Sequence, residues 1–240
     1  MLIGLTVHNN APFDPETVFL PNKGDYLMLN AINRLLIRLS VKDRETFGHV
    51  LRVGALAQCW TSYYEMPVQE DRQAFIVGCC VHDVGKILID SAILRKTSKL
   101  DRDEWDVMKT HPECGEKLLL EQQMTDSRLL DIVKFHHERW DGKGYPMGLQ
   151  GEDIPAMARM CSIIDAFDAM ISDRPYKEGM TIEQAKEELA VQSGIQFDEG
   201  YVRQFLSLPD PMLYDPSPVR LEQLAVEGTL FYVQSFRRGK

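Results

Sequence analysis

The chain carries six histidines, and five of them (His49, His82, His111, His136 and His137) fall within or at the ends of predicted helices, beside carboxylates or another histidine. One such histidine is more often a core or surface residue than a ligand; the set carries the weight. Glu45 and His49 are four apart and project from one helical face. His82-Asp83 closes the apolar run Phe75 to Val81, which would deliver a carboxylate into a dry site where one Asp can bridge two cations. His136 and His137 are adjacent, so on a helix they diverge by about 100° and two neighbouring metals could use both. Asp165 and Asp168, three apart, again share a face. Imidazole and carboxylate donors without thiolate suit iron, manganese or zinc and disfavour a structural zinc site.

Charge counting points to hydrolysis of an anion. Three carboxylates (Glu45, Asp83, Asp165) against two divalent cations leave about +1, and a third cation would make the site clearly positive, able to activate water and neutralise a phosphodiester. The whole chain has a net charge of −9 and a pI near 5.2, which argues against wrapping a DNA or RNA polymer. A small anionic substrate needs only the local positive site.

The elements that must position these residues are helical. The 240 residues, 44% hydrophobic and 26% charged, have an ordinary globular composition. No segment reaches the roughly 18 apolar residues that span a bilayer, so no membrane association is expected. The N-terminus does not read as a signal peptide. The five cysteines are odd in number and include no CxxC, so reduced thiols and a cytoplasmic location are expected. Residues 1–25, with Pro12, Pro15, Pro21 and Gly24, read as an arm with a short strand over 2–7.

Helical periodicity then predicts helices over 27–39, 44–65 and 69–82. Asp101 and Glu104 form a capping-box signature opening a helix of about twenty residues through His111, kinked or restarted at Pro112. Further helices are predicted over 126–138, 156–172, 181–193 (capping box Thr181/Gln184) and 199–208, with a Gly-rich loop after the first of them. Beyond Leu208, four prolines suggest a stiff linker, and residues 228–236 a strand that could pair with 2–7. The expected architecture is all-α: a helical bundle over 26–208 with short N- and C-terminal appendages (1–25 and 209–240) forming at most a small β element.

The ordered series Glu45-Thr-Phe-Gly-His49-Val-Leu-Arg52-Val, His82-Asp83-Val-Gly85-Lys86, His111-Pro112, His136-His137-Glu138-Arg-Trp-Asp141-Gly-Lys-Gly144-Tyr145-Pro146, Asp165-Ala-Phe-Asp168 and Arg174-Pro-Tyr-Lys177 closely resembles the HD-GYP family of HD phosphohydrolases. The likeness covers about 44–208 and implies an HD-type helical bundle. It departs in Leu88-Ile89-Asp90, where the family often has Ile-Pro-Asp.

By resemblance, His49, His82, Asp83 and Asp165 would hold one metal, and Asp83, His111, His136 and His137 a second, with Asp83 bridging. Glu45 would serve a third metal, or else pair with Arg52 on the helix surface. The implied cofactors are two or three divalent transition metals, iron or manganese first and zinc as an option. Lys86 belongs with Asp83 to the implied catalytic group. Arg174 and Lys177 would grip substrate phosphate, Asp168 would orient Arg174 from behind, and Tyr145 would stack a guanine or simply pack its loop.

The implied activity is hydrolysis of cyclic di-GMP to linear pGpG, with further cleavage to GMP left open, by water activated between the cations. Alternatives are an HD phosphohydrolase for another nucleotide such as cyclic GMP-AMP, or a non-catalytic effector that binds diguanylate cyclase (GGDEF) proteins through the GYP loop. Monomer and homodimer both stay open.

Overall fold

The computed structural model describes residues 23–65, 69–173 and 178–214. The expected strands over 2–7 and 228–236 lie outside these residues, as do Arg174 and Lys177. The described chain is helical, with no strand among the described residues beyond a single Ser193–Phe197 bridge. No described helix is long and apolar enough to cross a membrane.

The first three helices are α1 (Lys23–Lys42), α2 (Arg44–Tyr63) and α3 (Gln69–Val81). Asp43 caps α2, its carboxylate accepting from the Glu45 and Thr46 amides. A tight 3-10 turn, Val84–Leu88, follows α3 and leads through α4 (Ser91–Leu94) to α5 (Arg102–Met108), α6 (His111–Glu121) and α7 (Ser127–Phe135). After the Gly-rich loop come α8 (Ala156–Ile171), α9 (Ile182–Val191), α10 (Glu199–Leu206) and α11 (Pro211–Tyr214). Both predicted capping boxes form, Asp101 with Glu104 and Thr181 with Gln184.

Three expectations need correction. The helix of about twenty residues expected through His111, kinked or restarted at Pro112, is two helices broken at Lys109–Thr110: the chain restarts, with Pro112 in the first turn of α6. There the missing N–H costs nothing. The helix predicted over 126–138 stops at Phe135, so His136 and His137 occupy the turn after it and do not diverge as helical neighbours. Where a stiff linker was expected after Leu208, Pro211–Tyr214 is helical and Leu213 is buried in the core.

Two apolar clusters share the interior. One joins α2, α3, α8, α9, α10 and α11 around Trp60, Phe75, Phe167 and Phe205. The other joins α1 to the ends of α3 and α7 through Leu35, Leu39, Val81, Val84 and Val133. The histidines sit where these clusters meet. Gly85 makes this possible: a Cβ there would lie 1.8 Å from the His111 carbonyl oxygen and 2.5 Å from the Gly115 nitrogen. Only glycine lets the turn after Asp83 press against the start of α6.

Candidate metal centre

Five elements deliver side chains to one place. α2 supplies His49, the end of α3 supplies His82 and Asp83, the start of α6 supplies His111, the end of α7 supplies His136 and His137, and α8 supplies Asp165 and Asp168. Donor atoms of Asp83, His111, His136 and His137 all lie within 4.8 Å of one another, and so do those of His49, His82 and Asp83. Asp83 is common to both groups. Asp165 Oδ1 completes the second group, 2.9 Å from His49 Nε2 and 3.7 Å from His82 Nε2.

The tautomers follow from where the helices end. His82 Nδ1 lies 2.8 Å from the Cys79 carbonyl, His111 Nδ1 2.8 Å from that of Met108, and His136 Nδ1 2.9 Å from that of Val133. Each carbonyl is three residues back, at a helix end where C=O groups lack intrahelical partners. For Met108 the cause is explicit, since its helical partner would be the N–H of Pro112, which does not exist. A carbonyl can only accept, so Nδ1 donates, and in the neutral ring Nε2 is left as a lone pair. Fixing a ligand imidazole through its other nitrogen is the usual support of a metal site.

These lone pairs meet other acceptors. His111 Nε2 faces Asp83 Oδ1 at 3.1 Å and His136 Nε2 at 3.3 Å. His82 Nε2 and Asp83 Oδ1 are buried and have no hydrogen-bond partner among the described residues. Burial alone would lower the His82 imidazole, but the Asp83 and Asp165 carboxylates push it up to about 10. Burial, with help from the neighbouring imidazoles, holds His136 well below its ordinary value and His137 down to about 3. Burial would raise Asp83, yet Lys86, His82 and His111 hold it well below the carboxylate range. Asp165 is likewise held down, by His49 and His82. The neutral His136 and His137 imidazoles beside the Asp83 and Asp165 carboxylates make an environment for cations, and the N/O donor set fits divalent transition metals.

His49 is held differently. Its Nδ1 lies 2.7 Å from Asp168 Oδ2. Arg52 donates to the same carboxylate from Nε (2.7 Å) and Nη2 (2.8 Å), and Nη2 also reaches Ser172 Oγ at 2.9 Å. Arg52 is thus engaged by Asp168, not by Glu45. Glu45 is exposed at the cleft mouth and belongs to neither close donor group. Lys86 Nζ lies 2.6 Å from Asp83 Oδ2.

The glycine-rich loop packs over the group that contains His137. Tyr145 stacks on His137 with ring centroids 4.8 Å apart and planes 29° apart, so one ring face is already covered. Gly144 allows the close approach: a Cβ there would lie 2.4 Å from the Arg139 nitrogen. Sequence reasoning missed Glu138. It is buried and accepts from the amides of Met147, Gly148 and Leu149 at 2.7, 3.1 and 3.0 Å. The available signal was a carboxylate directly before a loop with amides to satisfy. An open cleft of about 1420 Å³ leads to the centre, lined by Glu45, His49, Arg52, Lys86, His137 and Asp165 among others. This exceeds the about 300–1,000 Å³ typical of small-ligand pockets.

Residues 34–200 match the family model described as "HD domain". The chain is 37% identical over 171 residues to a cyclic di-GMP phosphodiesterase of Pseudomonas aeruginosa, covering 71% of this chain and 41% of that protein. It is 36% identical over 209 residues to 3'3'-cGAMP-specific phosphodiesterase 2 of Vibrio cholerae, covering 85% and 38%. The chain therefore spans about two fifths of the length of these relatives. A cyclic GMP-AMP-specific phosphodiesterase of Vibrio cholerae shares the fold at TM-score 0.57 and 17% identity, over 82% of this chain and 51% of that one. With the helical fold, the His-Asp centre and the family match in agreement, the chain belongs to the HD domain family, in its HD-GYP branch.

Proposed function

We propose that this chain is a metal-dependent phosphodiesterase that hydrolyses cyclic di-GMP to linear pGpG. The observation that carries the reading is Asp83, a buried carboxylate common to two groups of imidazole donors beneath an open cleft. The similarity to proteins named as cyclic di-GMP and 3'3'-cGAMP phosphodiesterases supports the substrate class.

In this reading His49, His82, Asp83 and Asp165 hold one cation, and Asp83, His111, His136 and His137 hold a second. Glu45 reaches a third when it is present. Iron or manganese suits the donors best, with zinc acceptable. Such ions, when bound, supply Lewis acidity and a water of lowered pKa. The chain's own residues do the rest. Backbone carbonyls and Asp168 keep the imidazoles aimed inward. Lys86, now on Asp83, turns its ammonium to a phosphoryl oxygen or to the departing 3′-oxygen. Arg174 and Lys177 grip phosphate, and the uncovered face of Tyr145 stacks a guanine. The same reading places the chain in the cytoplasm with its thiols reduced, and no disulfide joins any of the five cysteines.

Cyclic GMP-AMP is the second substrate to test, because the two named relatives match this chain almost equally. Metal-replete protein should convert cyclic di-GMP to pGpG faster than it converts 3'3'-cGAMP. The reverse preference moves the assignment to cyclic GMP-AMP. Turnover of neither, with metals bound, leaves the binding of a GGDEF partner through the GYP loop as the reading to pursue.

A further inference from the structure

Arg52 has one edge of its guanidinium committed and one edge uncommitted. Nε and Nη2 form a two-pronged clamp on Asp168, extended to Ser172. Nη1 makes no hydrogen bond to a described residue, and the side chain is 38% exposed where it lines the cleft. Nη1 lies over Gly48, where a Cβ would come within 3.4 Å of it and, the two chain neighbours and the helix's own backbone aside, would meet no other atom within 4 Å. The missing side chain at position 48 leaves that edge open to the cleft. Arg52 is one helical turn beyond His49 on α2, so it faces the wall of the cleft beside the metal donors.

We propose that Arg52 is a substrate contact: locked by Asp168 along one edge, it presents Nη1 to an oxygen of the substrate phosphate that is not under attack. A planar guanidinium fixed before binding loses little freedom when it meets a phosphate, and a charge-assisted N–H···O contact is among the stronger hydrogen bonds. The inference rests on the proposed cyclic-dinucleotide activity and deepens it by naming a residue for the second phosphate. A substrate with a single phosphate has nothing to offer this edge.

Two variants test it from different sides. Arg52→Lys keeps a cation beside Asp168 and removes the Nη1 edge. Gly48→Leu leaves the Arg52–Asp168 clamp and covers Nη1, at a position where a helix-forming residue replaces glycine. Each is assayed for bound metal, for kcat and KM on cyclic di-GMP and on bis(p-nitrophenyl) phosphate, and for equilibrium binding of a phosphorothioate cyclic di-GMP. In Gly48→Leu, which leaves the Arg52–Asp168 clamp untouched, we expect metal content and the kinetics on the single-phosphate ester to stay within about twofold of the parent protein. In Arg52→Lys we expect the dinucleotide efficiency to fall further than the ester efficiency measured on the same metal-loaded fraction. We expect KM and the dissociation constant for the dinucleotide to rise about tenfold, the scale of one lost charged hydrogen bond. Unchanged dinucleotide affinity in either variant overturns the proposal. So does parallel loss on both substrates, which marks Arg52 as a support for His49 alone. Absence of dinucleotide turnover in the parent protein, by contrast, rejects the proposed function itself.

Discussion

The Nδ1 atom of His49 lies 2.7 Å from Asp168 Oδ2, while the Nδ1 atoms of His82, His111 and His136 each face a backbone carbonyl. A carboxylate is the one support here that a side-chain change can remove. Asp168→Asn should lower metal affinity about 10- to 100-fold, the usual effect of losing such a partner, with helix content unchanged. Competition with a chelator measures it. Parent-like affinity would show that His49 needs no anchor.

Asp83 and Lys86 touch at 2.6 Å but have different proposed tasks. Asp83→Ala should abolish turnover and reduce bound metal, because both donor groups share that carboxylate. Lys86→Ala should slow turnover and leave metal content intact. Elemental analysis beside a kinetic assay separates the two; matching metal losses in both variants would contradict the division of roles.

The metal-free protein should respond to pH with a definite sign. His82 is pushed from 6.5 up to about 10, against its own burial, by Asp83 and Asp165. A raised pKa means that the folded state binds a proton the unfolded chain gives up sooner. This stabilisation is fully present below about pH 6.5 and is lost as pH rises through about 10. The melting temperature of metal-free protein should therefore fall across that window. Metal binding must displace the same proton, so apparent metal affinity should rise across it. A melting temperature for metal-free protein that climbs toward pH 10 would be the wrong sign.

Glu138 collects three amides of the Tyr145 loop. Glu138→Gln turns one acceptor into a donor facing N–H groups, and a buried mismatch of this kind costs roughly 1–3 kcal/mol. We expect a melting temperature lower by several degrees, and faster proteolysis confined to residues 141–151. Parent-like stability would mean that the loop is held by its glycine packing and by the Arg139–Asp141–Gln196 contacts.

Much of the centre was legible because its residues lie in regular helices or directly after apolar ones. The spacing Asp165/Asp168 and the run into His82-Asp83 place themselves, whereas Glu45, four residues before His49, stays exposed outside both donor groups. Two of the failures share a physical cause, which is that side chains end these helices. The His136 imidazole takes the Val133 carbonyl and Glu138 draws the following chain into the loop, so α7 stops at Phe135 although periodicity continues. Pro112 frees the Met108 carbonyl for His111 and divides one predicted helix into two. The Arg52–Asp168 clamp joins residues 116 positions apart, and nothing local in either segment announces it.

The central claim is that one buried carboxylate joins two cation sites into a single hydrolytic centre. The most direct measurement is pGpG formation from cyclic di-GMP while metal-free protein is titrated anaerobically with ferrous or manganous ion. The account predicts little product through the first equivalent bound per chain and a steep rise as the second binds. Full activity at one equivalent, or no hydrolysis with two bound, would contradict it.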